Sequence, residues 1–239
     1  MHDPSLFGDD SCRRQHPNIA TVVARGGGIV IGYLKFAKNG TKEVEILQYL
    51  SGITSPTNHT VHPIRVWPIQ GGSIISMPVA GGWLTSFSEP SSHLWSVSQQ
   101  LFEAVKFMHD HGVAHMDLKP PNIIIPPTYG QLTIIDFSLA VRLNAPQHMF
   151  VGLAGTEGYM APEVGKAAYN PICADLWSCG KVIRDLCTIC DHSPARTWLL
   201  EIAGLLLDDD PEKRPMMGQV LHWMSQHDAK SPFGISSTR

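Results

Sequence analysis

A chain of 239 residues is long enough for one large domain or for two small lobes sharing a core. Its 43% hydrophobic content fits a globular protein and excludes wholesale disorder. With 18 Lys and Arg against 21 Asp and Glu, the formal net charge of −3 excludes the basic excess that binds nucleic acid or anionic membrane, unless a local patch supplies it.

Residues 1–18 are polar, with Pro4, Pro17, Asp9, Asp10, Arg13 and Arg14, and read as a poorly ordered lead-in without a signal peptide. Two apolar, β-branched runs at 19–24 and 29–36, separated by Arg25-Gly26-Gly27-Gly28, predict a hairpin. Asn39-Gly40 is a turn, and Thr41 is expected to cap a helix over 42–50. Runs at 64–69 and 73–77, split by Gly71-Gly72, predict a second hairpin. After Pro78 the period changes: Leu94, Val97, Leu101, Val105 and Met108 recur every three or four residues, which predicts a long amphipathic helix ending near Gly112. Short strands at 123–125 and 132–135 follow, then helices at 175–190, 197–207 and 217–222. No later stretch reaches the roughly 18 uncharged apolar residues of a membrane-spanning helix. Strands first and helices after predict an α+β fold of two unequal lobes, 19–80 and 81–239.

The five cysteines (12, 173, 179, 187 and 190) suit a reducing compartment. Cys187 and Cys190 form a C-x-x-C, but they fall in an apolar helix and no second pair has ligand spacing, so packing outweighs metal binding.

Four segments occur in fixed order: His115-Met116-Asp117-Leu118-Lys119-Pro120-Pro121-Asn122, Asp136-Phe137-Ser138, Gly155-Thr156-Glu157-Gly158-Tyr159-Met160-Ala161-Pro162-Glu163, and Asp175-Leu176-Trp177-Ser178-Cys179-Gly180. Together they resemble the eukaryotic protein kinases of Ser/Thr type, over about residues 29–222. The resemblance implies a two-lobed kinase-like fold with a reduced, β-rich N-lobe and a helical C-lobe. It implies ATP and Mg²⁺ as cofactors and transfer of phosphoryl groups to Ser/Thr hydroxyls of a protein substrate. In that chemistry an acceptor hydroxyl is held in line and positive charge meets the charge that develops. Asp117 is then the group that orients the hydroxyl and accepts its proton, and Lys119 contacts the transferred phosphate. Asn122 and Asp136 are the metal ligands. His115 is structural, as are Glu163 and Arg214, which pair in the family. Small-molecule phosphotransferases share His-x-Asp-x-x-x-x-Asn but lack the Ala-Pro-Glu segment and the Asp-x-Trp helix.

The first lobe departs from the family pattern. Lys35 is the choice for the ATP-phosphate lysine, with Lys38 as competitor. Glu43 is the choice for its helix partner, with Glu45 as runner-up, although Glu43 follows Lys35 at about half the usual interval. At a helix start a carboxylate is also favourable on its own, so Glu43 could equally be a solvated first-turn acid. No G-x-G-x-x-G precedes Lys35, and Tyr33 stands where the family keeps alanine. Ser76 is the expected gatekeeper and Val79 the hinge residue for adenine. Met116 replaces the arginine that reads an activation-loop phosphate, and no Ser, Thr or Tyr lies between Ser138 and Thr156. Control by loop phosphorylation is therefore not expected. Ser138 replaces the metal-turn glycine, the span from Asp175 to Arg214 is short, and Pro121 gives no sign of a preference for basic peptides. Two readings follow: an active, intracellular and cytoplasmic Ser/Thr kinase (a nuclear site is also compatible), or a pseudokinase acting as a binding or scaffold module. The Lys35-Phe36, Asn39-Gly40, Glu43 stretch also resembles shortened kinases of mushroom-forming fungi.

Overall fold

The computed structural model describes residues 18–24, 29–78, 82–83, 90–125, 130–145 and 148–230. Val79, the Gly26-Gly27-Gly28 turn, the Pro126-Pro127 turn and nearly all of the lead-in lie outside them. So does the expected lobe boundary between residues 80 and 81.

Strands β1 (Ile19–Val23) and β2 (Val30–Lys38) pair antiparallel with a register shift at Val22/Val23. Strand β3 (Arg65–Ile69) and β4 (Gly72–Met77) form the second hairpin, and β4 inserts beside β2, giving the order β1-β2-β4-β3. Pro68 is tolerated because β3 is an edge strand. Helix α1 (Glu43–Ser51) lies between the hairpins in sequence. Thr41 does not cap it: its hydroxyl donates to the Lys38 carbonyl at 2.9 Å, closing the turn after β2. Lys42 takes the cap position without a side-chain bond, and Glu43 and Glu45 supply acid in the first turn, where the helix dipole favours it.

Two-residue β5 (Gly82–Trp83) pairs with β7 (Ile123–Ile125), which pairs with β8 (Thr133–Ile134). Strand β6 (Val113–Ala114) pairs with β9 (Val141–Arg142). Helix α2 (Pro90–Asp110) runs before β6, and a 3-10 turn (Pro120–Asn122) leads into β7. Helices α3 (Pro171–Thr188), α4 (Pro194–Leu206) and α5 (Met217–Lys230) complete the described chain. Asn170 caps α3 by accepting the Ile172 N–H at 2.9 Å, with Pro171 at the first position, where its missing donor costs nothing. Gly180 on α3 allows close approach of α4, since a Cβ there would meet the Leu206 Cβ at 2.8 Å. No helix among the described residues is long and apolar enough to cross a membrane.

One apolar core spans the strand-rich and helical parts, from Ile46, Leu47, Leu50 and Ile75 through Leu101, Phe102, Leu118 and Phe137 to Leu176 and Ile183. The backbone stitches the two parts as well. The Val61 N–H donates to the Ile134 carbonyl at 2.9 Å, and the Ile134 N–H to the His59 carbonyl at 2.7 Å. This bridge fixes the strand that leads to Asp136.

Candidate active site

Asp175, fully buried on α3, sets the loop after β6. Its carboxylate accepts the backbone N–H groups of His115 (2.6 Å) and Met116 (2.8 Å), with His109 Nε2 at 3.2 Å. Two backbone donors held by a buried ion explain how Met116 keeps its left-handed φ of 64°. The His115 ring donates from Nε2 to the Ile135 carbonyl at 3.0 Å, while Nδ1 accepts the Asp117 N–H at 3.2 Å. Its edge meets the Phe137 ring at 4.8 Å. His115 thus ties the loop of Asp117 to the strand end of Asp136, in keeping with a structural role.

The Asp117 side chain is 7% exposed and every contact on it orients it. Thr156 Oγ1 donates to Oδ1 at 2.7 Å. Lys119 Nζ lies 2.7 Å from Oδ2 and donates to Thr156 Oγ1, also at 2.7 Å. Asn122 Nδ2 reaches Oδ2 at 3.1 Å and the Asp117 carbonyl at 2.8 Å. The 3-10 turn that brings Asn122 back leaves its Oδ1 buried without a hydrogen-bond partner among the described residues. A buried, unpaired carbonyl-type oxygen beside carboxylates suits a hard cation such as Mg²⁺. The Ile135 N–H donates to the Asn122 backbone carbonyl at 3.0 Å, which holds Asn122 beside the segment that runs from β8 to Asp136.

Lys35, Glu43 and Asp136 come together. Lys35 Nζ lies 2.5 Å from Glu43 Oε1 and 2.6 Å from Asp136 Oδ1. Lys35 is 4% and Glu43 1% exposed, so Glu43 is not a solvated first-turn acid. The competitors are elsewhere: Lys38 is exposed at the end of β2, and Glu45 pairs with Lys42 at 2.8 Å on the surface. The short interval between Lys35 and Glu43 works because α1 begins at Glu43 itself. Burial pushes the Glu43 carboxyl above its ordinary value; Lys35 pulls it down by less, and Asp136 adds to the rise.

Register corrects the gatekeeper expectation. Ser76 pairs with Leu34 and Ile75 with Lys35, so Ser76 faces away from Lys35. Met77, buried and opposite Tyr33, stands on the Lys35 face instead.

The segment after Asp136 packs through apolar side chains. Met116, Ala114, Ala161, Val164, Tyr169 and Ala174 form a buried cluster, with Val141, Phe150 and Met160 against it. Phe150 and Tyr169 exchange backbone hydrogen bonds at 2.7 and 2.9 Å. Gly155, at φ +116°, passes where a Cβ would lie 3.0 Å from the Met116 carbonyl. Farther on, Glu163 takes Arg214 bidentately at 2.6 and 2.8 Å.

Comparison with known proteins agrees with this geometry. The protein kinase domain family matches residues 79–197. CBL-interacting protein kinase 22 of Oryza sativa subsp. japonica is 31% identical over 198 residues, 69% of this chain and 42% of the relative. Probable serine/threonine-protein kinase KKQ8 of Saccharomyces cerevisiae (strain YJM789) is 46% identical over 90 residues, 35% of this chain and 12% of the relative. Calcium-dependent protein kinase 6 of Plasmodium berghei (strain Anka) is 33% identical over 161 residues, 57% of this chain and 11% of the relative. A four-stranded antiparallel sheet and a helical part, joined by the Lys35–Asp136 ion pair, make an α+β protein-kinase-like fold. The chain belongs to the eukaryotic protein kinase family. It spans less than half the length of these curated relatives.

Proposed function

We propose that this chain is an active Ser/Thr protein kinase that transfers the γ-phosphoryl of ATP to a hydroxyl of a protein substrate without control by activation-loop phosphorylation. The observation that carries the reading is the Asp117 carboxylate, held by Thr156, Lys119 and Asn122 with every partner within 3.1 Å. Lys119 and Thr156 are the pair expected of a Ser/Thr-type loop. A carboxylate so fixed is ready to orient an acceptor hydroxyl and take its proton at an Asp117 oxygen, and Lys119 is placed to meet the charge of the transferred group. Asn122 Oδ1 and the Asp136 carboxylate would hold Mg²⁺, which when bound neutralises phosphate charge. Lys35, braced by Glu43, would take the ATP phosphates, and Val79 would offer backbone groups to adenine. The reading places the chain in the cytoplasm, with ATP and a Ser/Thr-bearing protein as partners.

Independence from loop phosphorylation rests on the apolar cluster. Where a phosphate reader would need arginine, Met116 packs with Val141, Phe150 and Tyr169, so the segment is anchored by burial rather than by charge. One observation favours a second reading, a kinase-fold binding module with weak or no turnover. Strand β1 lies at the sheet edge, so among the described residues no further strand stands ready to cover phosphates.

Calorimetry of ATP with excess Mg²⁺, on the wild type and Asp136→Ala, separates the two. Micromolar binding abolished by the substitution is expected. No binding at millimolar ATP would favour the module.

A further inference from the structure

Resting on the kinase reading above, we propose that Ser138 is a positioning residue for the metal-binding carboxylate of Asp136. The Ser138 hydroxyl donates to Asp136 Oδ1 at 2.6 Å, and its backbone N–H points at the same oxygen at 3.3 Å. Lys35 Nζ, itself braced by Glu43, approaches that oxygen at 2.6 Å. Three donors thus converge on one carboxylate oxygen. Two of them come from a residue two positions along the chain, so the carboxylate plane is fixed against its own turn.

The backbone at Asp136 has need of such a tie. It holds a left-handed φ of 66°, which a residue with a Cβ adopts only when its surroundings enforce it. A glycine at 138 leaves only the backbone bond and adds conformational freedom to the turn. Serine removes some of that freedom and adds a hydrogen bond to an ion, the stronger kind. Ser138 does not itself meet nucleotide in this proposal. It sets the angle at which Asp136 meets a cation and keeps the carboxylate on Lys35 before nucleotide arrives.

The test compares wild type, Ser138→Ala and Ser138→Thr by ADP calorimetry, with excess Mg²⁺ and with excess EDTA. Hydrogen exchange of the amides at 136–140 is followed in the free proteins. One hydrogen bond to an ion corresponds to roughly a tenfold loss of affinity at the low end of its range. Ser138→Ala is expected to lose that factor with Mg²⁺ and to keep wild-type affinity in EDTA. Ser138→Thr, which retains the hydroxyl, is expected to recover the Mg²⁺-dependent part. Exchange at 136–140 rises in the alanine variant only. Equal losses with and without metal would mark a general structural role and overturn the proposal, as would an alanine variant that binds Mg²⁺-ADP as tightly as the wild type or more tightly. If the wild type binds no nucleotide at all, the kinase reading falls, and exchange alone decides. Faster exchange confined to Ser138→Ala then upholds the tie, and unchanged exchange overturns it.

Discussion

Replacing Glu163 by alanine tests how far the fold depends on one buried ion. The Arg214 side chain is fully buried, and Glu163 supplies its counter-charge by accepting from both terminal guanidinium nitrogens. Its remaining partners are neutral: the Asp208 carbonyl at 2.9 Å, the Cys173 carbonyl at 2.8 Å and the Trp177 ring at 5.1 Å. Carbonyl oxygens satisfy hydrogens but leave the charge uncompensated, and stranding one partner of a buried pair costs about 3–5 kcal/mol. Against a total stability of about 5–15 kcal/mol that is a large fraction. At about 2–4 °C per kcal/mol for a chain of this size, the melting temperature should fall by about 6–20 °C. Urea unfolding followed by fluorescence of the six tryptophans gives the loss directly. Glu163→Gln, which keeps one acceptor oxygen, should lie between wild type and alanine. The double variant Glu163→Ala with Arg214→Met removes the stranded charge and should be more stable than Glu163→Ala alone. A single-variant loss below about 1 kcal/mol, or a double variant less stable than the single one, would refute the reasoning from an uncompensated charge.

Three further outcomes are expected. The Arg142 guanidinium lies 3.7 Å from the centre of the Tyr49 ring and so joins α1 to β9. An exposed contact of this kind is worth about 0.5–1 kcal/mol, so Arg142→Ala and Tyr49→Leu should each lower nucleotide affinity about two- to fivefold in titrations, non-additively in the double variant and with Tyr49→Phe near wild type. The folded Glu43 carboxyl holds its proton more tightly than the unfolded one, whose ordinary value is 4.5. Its contribution to stability is therefore full below that value and is lost as pH rises through the raised folded value. Wild type should gain stability relative to Glu43→Gln on acidification, and nucleotide affinity should show an acid limb above 4.5, both checked by unfolding and binding across pH. Burial pushes the Cys187 thiol up to about 11 and raises those of Cys173 and Cys179 as well. At pH 8 these three should alkylate slowly in the native protein and fast in urea, read by mass spectrometry.

The helical part was legible because its motifs have rigid spacing and its apolar period is long. Asp117, Lys119 and Asn122 lie in contact, the His115 ring ties their loop to the Ile135 carbonyl just before Asp136, and Glu163 meets Arg214. Asp175 stood inside a recognised segment, yet its grip on two backbone amides 59 and 60 residues away is a tertiary fact that no local pattern carries. The strand-rich part was less legible. Thr41 is a good cap by residue type, but the tight turn after β2 claims its hydroxyl for Lys38. Ser76 was misplaced by one residue, and in a strand one residue is the difference between the two faces. Glu43 was ambiguous in sequence because a first-turn acid needs no partner; burial against Lys35 decides it. The apolar filling around Met116 involves Val141, Phe150 and Tyr169 from three separate stretches, and only the absence of arginine hinted at it.

The most direct test of an active, phosphorylation-independent Ser/Thr kinase is phosphoryl transfer by phosphatase-treated chain. Labelled ATP and Mg²⁺ are supplied with a mixed protein acceptor, and Asp117→Asn serves as the dead control. Label on Ser and Thr that needs Asp117 is expected, without a lag for autophosphorylation. No label above the Asp117→Asn background would contradict it, and label that grows only after the chain itself is phosphorylated between Asp136 and Glu163 would contradict its independence.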